Sequence, residues 1–344
     1  MNSFEYGAPT SLPEAISLLS PRWGPTEILA GGTDLVALMK DYAVTPRRLV
    51  SLKRLPGMGA IAWSPSKGLR VGALATLDEL ARHPAVVRHY PALAQALGDA
   101  ASPQIRNRAT VGGNLCQRPR CWYFRNGYGL LALDSRKRSL VLLGDNRYHA
   151  ILGNGGPAYF VSPSTIAPTL VALGARVRVA GPGRSPGLPA SRLIALESFY
   201  RAPTKEGQRE HALRPDEVLV ELSVPPPGGS RIAYYEVRQK HGFDWPFATA
   251  TVRLDLAGEK VASAVVMMGH VAPTPWRSRE AEGALAGQVP TDALAAAAGR
   301  AAVGPAKSLG QNGYKIAIAQ VAVERAVLLA AGLAAGAPWQ EAAS

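Results

Sequence analysis

Two glycine pairs that lie about eighty residues apart constrain this chain more than any other feature. The first stands in Leu29-Ala30-Gly31-Gly32-Thr33-Asp34-Leu35, and the second in Ala109-Thr110-Val111-Gly112-Gly113-Asn114-Leu115. Glycine lets the backbone approach a ligand closely and adopt a positive φ, and successive exposed N–H groups in such turns form a concave anion site. Two such loops in one chain predict a clamp on a pyrophosphate, which indicates a bound dinucleotide.

Each glycine pair can also be an ordinary tight turn, because the chain has 35 glycines among its 344 residues. The first pair has the more informative context. Residues 26–30 predict a short buried strand, and the apolar residues after Asp34 recur at helical spacing. A strand, a glycine turn and a helix start bring amides and the helix dipole to one point, which suits phosphate. The pattern is not G-x-G-x-x-G, so a Rossmann-type nicotinamide site is not indicated.

The composition limits the classes of protein to which this chain can belong. The apolar fraction of 47% supports compact packing, and the length of 344 residues predicts two or three domains. There is no apolar run of membrane-spanning length and no secretory signal at the amino terminus, so we expect no membrane span. Two cysteines, Cys116 and Cys121, cannot build a disulfide framework, which favours the reducing cytoplasm.

The net charge of +13 allows an acidic partner subunit, an anionic cofactor or nucleic acid. The densest basic region, residues 106–147, has Trp122, Tyr123 and Phe124 between its arginines, as a single-strand stacking groove would. No helix-turn-helix, zinc-finger or RNP pattern accompanies it. We therefore expect no nucleic acid, and interpret this region as a solvated basic face or a contact with another subunit.

The order of apolar patterns predicts an α+β fold in several parts. Residues 1–55 form a small α/β unit, and residues 56–225 mix strands, one of them at 158–161, with helices. The run Pro225-Pro226-Pro227-Gly228-Gly229 ends this region, because prolines cannot lie inside a central strand or helix. Residues 226–335 predict a three-stranded antiparallel sheet followed by a bundle of alanine-rich helices. Residues 336–344 form a tail.

Five blocks of the sequence, in family order, resemble the FAD-binding subunits of molybdenum hydroxylases. That family includes xanthine dehydrogenase, carbon monoxide dehydrogenase and aldehyde oxidoreductase. The matching blocks are residues 30–34, 102–115, 214–219, 271–277 and 312–315.

The resemblance implies a two-part vanillyl-alcohol-oxidase-type (PCMH-type) FAD-binding domain, followed by a C-terminal domain of the CO dehydrogenase flavoprotein type. The two glycine loops would hold the pyrophosphate and ribityl chain of FAD. Electrons would arrive from a molybdopterin-binding large subunit through the [2Fe–2S] clusters of a small subunit. The flavin would pass them to a small-molecule acceptor, with the protein supplying orientation and electrostatics.

Residues 117–125 and 146–153 are similar to the flavin subunits of one branch, the aldehyde oxidoreductases and 4-hydroxybenzoyl-CoA reductases. Members of that branch carry a [4Fe–4S] cluster on four cysteines of this insertion. Here Cys121 occupies one ligand position, but Ala158 stands where the last ligand would be. Since such a cluster needs about four thiolates, we expect no iron–sulfur cluster and no metal site in this chain.

Two substitutions concern the flavin side. Thr165 stands where the family usually has aspartate, and Glu236 aligns with a lysine near the isoalloxazine in many relatives. A carboxylate there would disfavour anionic reduced flavin by Coulomb repulsion, so the redox poise or the choice of acceptor would be unusual. Leu219 or Val220 matches a family position whose apolar side chain packs on the flavin ring, although by sequence alone this residue would be assigned to the core.

The polar loop residues have two interpretations each. Thr33 and Thr110 donate hydrogen bonds to phosphate or cap their turns, and Asn114 bonds phosphate or stabilises its own turn. His149, His241 and His270 have no metal-ligand spacing, and no catalytic triad or carboxylate pair indicates a catalytic residue. The predicted cofactor-binding set is Leu29, Ala30, Gly31, Gly32, Thr33, Asp34, Leu35, Ala109, Thr110, Gly112, Gly113, Asn114, Ser162, Thr165, Leu219 and Glu236.

The leading hypothesis is therefore an FAD-containing oxidoreductase subunit that passes electrons from a molybdenum/[2Fe–2S] core to an external acceptor. A free-standing FAD-dependent oxidoreductase that acts directly on a small molecule is the alternative, motivated by the missing cluster ligands and by Thr165 and Glu236. A flavin-free interaction or nucleic-acid-binding protein, motivated by the charge, is a third hypothesis.

Overall fold

Three β-sheets organise the part of the chain that the computed structural model describes, which is residues 1–185, 187–240 and 244–334. The first sheet is small and parallel, and its crossovers are short helices. Its elements are β1 (Glu5–Gly7), α1 (Leu12–Ser17), β2 (Thr26–Leu29), α2 (Leu35–Lys40) and β3 (Arg48–Ser51). Strand β3 lies between β1 and β2 and pairs with both in parallel.

The second sheet is antiparallel and brings together strands from distant parts of the chain. Its strands are β4 (Ile61–Ser64), β5 (Gly68–Gly72), β6 (Arg176–Gly181), β7 (Ala190–Ala195) and β8 (Val218–Val224). The order across the sheet is β4-β5-β8-β6-β7, so β8 lies at the centre between β5 and β6. The segment between β5 and β6 carries the second glycine loop and the insertion.

Short helices fill the connections of this second unit. They are α3 (Leu77–Arg82), α4 (Pro84–His89), α5 (Pro91–Asp99), α6 (Pro103–Arg106), α7 (Val111–Leu115), α8 (Trp122–Arg125), α9 (Leu140–Leu143), α10 (Ile166–Ala172) and α11 (Leu196–Phe199). Thr76 caps α3 in a complete capping box with Glu79. Proline in the first turn marks the start of α4, α5 and α6, because its missing N–H is unpaired there in any helix.

The third sheet and three helices form the C-terminal part of the described chain. Its elements are β9 (Arg231–Val237), β10 (Ala248–Ala257), β11 (Lys260–Gly269), β12 (Trp276–Arg277), α12 (Arg279–Leu285), α13 (Asp292–Ala302) and α14 (Tyr314–Ala331). The sheet is antiparallel in the order β12-β11-β10-β9.

The alternation of side chains along β9 joins the C-terminal sheet to the rest of the molecule. Ile232 and Tyr234 belong to the large hydrophobic core that also contains α5 and α10. Ala233, on the opposite face, belongs to a second core built with α14. The sheet therefore lies between two layers of helices.

The structure corrects three details of the sequence predictions. The C-terminal sheet has a fourth strand, because Trp276–Arg277 pairs with the end of β11. Residues 158–161 form no strand, since Tyr159 and Ser162 hydrogen-bond through their backbones to two different loops. Strand β2 is half-buried rather than buried, because one side of it faces a cleft. The predicted tail, residues 336–344, lies outside the described residues.

No helix among the described residues is both long enough and apolar enough to cross a membrane.

Candidate functional site

The first glycine loop joins β2 to α2, and it needs glycine at two positions for different reasons. Gly32 has a φ of +81°, in the left-handed region that favours glycine. Gly31 has no room for a side chain, because a Cβ atom there would lie 2.1 Å from the carbonyl oxygen of Arg108. The first loop therefore rests directly on the residue that precedes the second loop.

The second glycine loop forms the start of the short helix α7. Thr110 is the N-cap, and its Oγ1 accepts a hydrogen bond from the backbone N of Gly113 at 3.1 Å. A Cβ atom on Gly112 would lie 2.9 Å from the Cβ of Ala73, so α7 packs closely against the residue that follows β5. The Thr110 hydroxyl thus caps its own helix and keeps its hydrogen for one further acceptor.

Asn114 connects the second loop to the segment that precedes α10. Its Oδ1 accepts a hydrogen bond from Oγ of Ser164 at 2.7 Å, and this hydroxyl accepts one from N of Ala167 at 3.1 Å. Thr165, which follows Ser164, is buried. The Nδ2 group of Asn114 has no partner among the described residues, so it remains available to donate to a ligand.

Both glycine loops line one cavity, here called the loop cleft, with about 1080 Å³ of empty space including open solvent. A second space of about 1000 Å³, the adjoining cleft, shares Thr33, Asp34 and Gly113 with it. The predicted residues that line the loop cleft are Ala30, Gly31, Gly32, Thr33, Asp34, Leu35, Thr110, Gly112, Gly113 and Leu219. The adjoining cleft adds Ala109, Asn114 and Thr165.

Three predicted residues line neither cleft. Leu29 is the last residue of β2. Ser162 is buried beside a small neighbouring cavity. Glu236 lies on β9, where Tyr234 donates its hydroxyl hydrogen to it at 2.6 Å and Arg238 forms an ion pair with it. Burial raises the pKa of Glu236, and the carboxylate has its own cation beside it.

Asp34 is held by two guanidinium groups and one backbone N–H from the segment after the second loop. Nη2 of Arg125 donates to it at 2.7 Å, the backbone N of Arg118 donates at 2.9 Å, and Nη2 of Arg120 lies 3.5 Å away. The side chains of Arg125 and Asp34 are only 14% and 15% exposed. The predicted solvated basic face is therefore wrong for this part of the chain, because the arginines converge on an inward-facing carboxylate.

The residues of the loop cleft that the sequence reasoning missed include Trp23, Glu27, Arg209 and His211. Arg209 pairs with Glu27, and its guanidinium lies 4.6 Å from the ring centre of Trp23. The ring of His211 meets Trp23 edge-on at 5.8 Å. A carboxylate in a predicted buried strand signals a buried cation, but Arg209 lies so far along the chain that the sequence could not identify it.

Burial shifts the pKa values of several ionisable groups in the loop cleft, and that of Glu27, which pairs with Arg209, rises to about 7. Burial raises the pKa of the Cys116 thiol to about 12 and lowers the pKa of His211 to about 3. At neutral pH both groups are therefore uncharged. Redox chemistry in this cleft would have to be supplied by a bound cofactor, whose position and surroundings the protein sets.

Within the described ranges, no group of three or more histidine, cysteine or acidic side chains could hold a metal ion. Cys116 and Cys121 are both free thiols.

Two family models match the chain one after the other. The model described as the FAD binding domain in molybdopterin dehydrogenase matches residues 2–227. The model described as the CO dehydrogenase flavoprotein C-terminal domain matches residues 233–330.

Curated proteins and a solved structure resemble the chain over most of its length. It is 33% identical to the aldehyde oxidoreductase FAD-binding subunit PaoB of Escherichia coli K12, over 83% of this chain and 86% of that protein. It is 29% identical to the carbon monoxide dehydrogenase medium chain of Hydrogenophaga pseudoflava, over 94% and 96% of the two chains. A solved structure of carbon monoxide dehydrogenase from Hydrogenophaga pseudoflava, which lacks the Mo-pyranopterin moiety of the molybdenum cofactor, is also similar to this chain. The TM-score is 0.74 and the sequence identity 28%, and the match covers 96% of this chain and 98% of that chain.

Proposed function

Since the chain belongs to the family of FAD-binding subunits of molybdopterin dehydrogenases, we propose that it is the flavin subunit of a multi-subunit molybdenum hydroxylase. In this role it receives electrons from a molybdopterin-binding large subunit through a [2Fe–2S] small subunit. The bound FAD supplies the redox chemistry and delivers the electrons to an external small-molecule acceptor.

The single observation that carries this proposal is the contact between the two glycine loops. Gly31 approaches the backbone of Arg108 so closely that a Cβ atom would overlap it. The backbone N–H groups of residues 31–34 have no partner among the described residues, whereas those of Val111, Gly112 and Gly113 donate to other groups of the protein. The first loop therefore supplies the free backbone donors that a diphosphate bridge requires. The cleft continues into the adjoining cleft, which provides length for a dinucleotide.

We assign the FAD contacts to the predicted residues that line the two clefts, from Ala30 to Leu35, from Ala109 to Asn114, and to Thr165 and Leu219. Leu29 and Ser162 lie next to these residues and support them. Glu236 acts at most indirectly, since its charge is offset by Arg238.

We also propose that residues 1–55 and 56–225 form the two parts of the FAD domain, and that the C-terminal domain begins at residue 226.

The insertion supports the proposal that this chain holds no iron–sulfur cluster. Cys121 and Ala158, which align with two cluster ligands of the related branch, lie in a small hydrophobic cluster. The other members of this cluster are Leu38, Phe124, Leu130, Leu131 and Phe160. Apolar side chains thus pack together around these two positions, and two cysteines in the whole sequence are fewer than the four thiolates that such a cluster needs.

The substitution Gly31→Ala tests the FAD site. The new Cβ would overlap the carbonyl of Arg108 and push the two loops apart, so we expect the affinity for FAD to fall about tenfold or more. The measurement is the flavin absorption per chain after dialysis against graded FAD. Gly283→Ala is the matched control, because a Cβ there meets no atom within 4 Å. If both variants retained the same amount of FAD, the loop cleft would not be the cofactor site.

A further inference from the structure

A third cavity, here called the aromatic cavity, lies beside the adjoining cleft and is not used by the site described above. It has about 1020 Å³ of empty space including open solvent. Arg120 and Trp245 line both spaces and form the wall between them. Its aromatic lining residues are Trp122, Tyr148, Phe160, Trp245 and Phe247.

The aromatic side chains present flat surfaces. The rings of Tyr148 and Phe247 are parallel within 8°, with centroids 5.9 Å apart. The guanidinium of Arg120 covers one region of the Trp245 ring at 4.6 Å from its centre. Such walls favour a planar, apolar ligand, because aromatic rings gain most from stacked or edge-on contact with another ring.

His270 provides a polar group in this cavity and is held under strain. It is 2% exposed, and its φ of +61° lies in the left-handed region that costs a non-glycine residue free energy. Its Nε2 has no hydrogen-bond partner among the described residues. Backbone strain and an unpaired buried nitrogen at one residue are typical of a functional position.

His149 provides a second imidazole. Its Nε2 lies 3.2 Å from Sγ of Cys121, and its Nδ1 is buried without a partner among the described residues. Burial lowers the pKa of His149 to about 4 and that of His270 to about 3. Both rings are therefore neutral at pH 7, and a neutral imidazole carries one N–H that can donate to a carbonyl oxygen.

The described cations of this cavity are already engaged, which argues against a phosphate-bearing ligand such as a nicotinamide dinucleotide. Lys315 donates its ammonium hydrogens to three backbone carbonyls at 2.8 to 3.2 Å. The guanidinium of Arg120 lies against Asp34 and the Trp245 ring, and its Nε is buried without a partner among the described residues. Neither residue could bind a phosphate without giving up these buried contacts.

We propose that the aromatic cavity binds the external electron acceptor, and that this acceptor is a planar aromatic dicarbonyl compound of the quinone class. The aromatic walls stack on the ring, and His270 and His149 donate hydrogen bonds to its carbonyl oxygens. A quinone takes up two electrons and two protons to become a hydroquinone, which is what reduced flavin releases when it is reoxidised. The acceptor role rests on the proposed function, whereas the binding itself does not.

The test is isothermal titration of the FAD-loaded chain with 2,3-dimethyl-1,4-naphthoquinone, whose blocked ring carbons cannot add to Cys121. We expect saturable binding, weakened about tenfold in Trp245→Ala through the lost stacking. His270→Gly, which keeps the left-handed backbone without strain, is expected to weaken binding about fivefold through the lost hydrogen bond. Trp63→Phe is the control, because Trp63 stacks on His89 and lines none of the three spaces.

The inference would be overturned if the natural chain did not bind the quinone, or if Trp63→Phe weakened quinone binding as much as the cavity variants do. It would also be overturned if NAD⁺ displaced the quinone from the natural chain but not from Trp245→Ala. The flavin absorption of each sample is read separately. A chain that binds quinone but never retains FAD would contradict the proposed function alone. A chain that retains FAD but does not bind quinone would contradict only the inference made here.

Discussion

At the scale of single residues, the half-buried His211 affects how the loop cleft responds to acid. His211 stacks on Phe199 at 5.5 Å and meets Trp23 edge-on. Its Nδ1 has no hydrogen-bond partner among the described residues. Charging this ring would place a cation in an apolar setting next to Arg118, so protonation opposes the folded state.

The variant His211→Phe is expected to reduce acid sensitivity. The folded pKa of His211 is about 3, against an ordinary value of 6.5, so the folded state binds fewer protons between these values. Its contribution to stability is complete above pH 6.5 and is lost as the pH falls toward 3. Between neutral pH and about pH 5, the natural chain should lose about 2 kcal/mol more free energy of unfolding than the variant.

Urea unfolding of the FAD-free proteins at the two pH values measures this difference. His89→Phe is the matched control, since His89 is likewise half-buried and stacked on an aromatic ring but does not line the loop cleft. The prediction is wrong if the natural chain and His211→Phe lose the same free energy on acidification.

At the scale of elements, the alanine-rich helices owe their close approach to small residues. Ala319, Ala322 and Ala326 of α14 are fully buried against the C-terminal sheet and its neighbouring helices. On α13, a Cβ atom at Gly299 would lie 2.8 Å from the carbonyl oxygen of Gln320. The alanine enrichment was correctly interpreted as close helix packing, and Gly299 marks the point of nearest contact.

Substitution of Gly299 by valine should separate α13 from α14. Because the obstacle is backbone rather than a flexible side chain, we expect a loss of about 2 kcal/mol in the free energy of unfolding. Gly283→Ala in α12 meets open space and should instead stabilise its helix by up to about 1 kcal/mol. Thermal unfolding monitored by circular dichroism distinguishes the two. A Gly299→Val chain as stable as the natural one would show that the helices can shift apart at no cost.

At the scale of the whole molecule, three hydrophobic clusters hold the chain together. The large core joins the first two sheets to the inner face of the third. The second core lies under the C-terminal helices, and the third fills the insertion around Cys121 and Phe124. The insertion thus has a small hydrophobic core of its own, and this core includes Leu38 of α2.

Coexpression with the neighbouring genes for a molybdopterin-binding and a [2Fe–2S] protein tests the assembly. We expect the three chains to copurify, and the chain purified alone to contain FAD with far less than stoichiometric iron, because two cysteines cannot complete a [4Fe–4S] site. Metal analysis and flavin absorption give both values. Turnover of a small molecule by the isolated chain without molybdenum would favour the free-standing oxidoreductase instead. Stoichiometric iron in the isolated chain would contradict the proposal that the insertion holds no iron–sulfur cluster.

Local signals explain which elements were predictable. Helices α12, α13 and α14 lie in the region where the sequence predicts alanine-rich helices, because caps and apolar spacing depend on a few consecutive residues. The segment 158–161 has strand-like composition but forms no strand, since its hydrogen-bond partners are loops rather than a neighbouring strand. Strand pairing depends on distant segments, which a local pattern cannot contain.

The amino-acid sequence by itself determined the two glycine loops, their family and the mixed helix and sheet architecture, because glycine content, apolar period and motif order are local properties. Only the tertiary structure decided that Gly31 touches Arg108, that Asp34 pairs with the guanidinium groups of Arg120 and Arg125, and that Glu236 pairs with Arg238. The same holds for the aromatic cavity, whose walls come from the insertion, from residues that adjoin the ends of β9, β10 and β11, and from α14. Contacts between groups far apart along the chain depend on how the layers pack, and that packing is a property of the whole molecule.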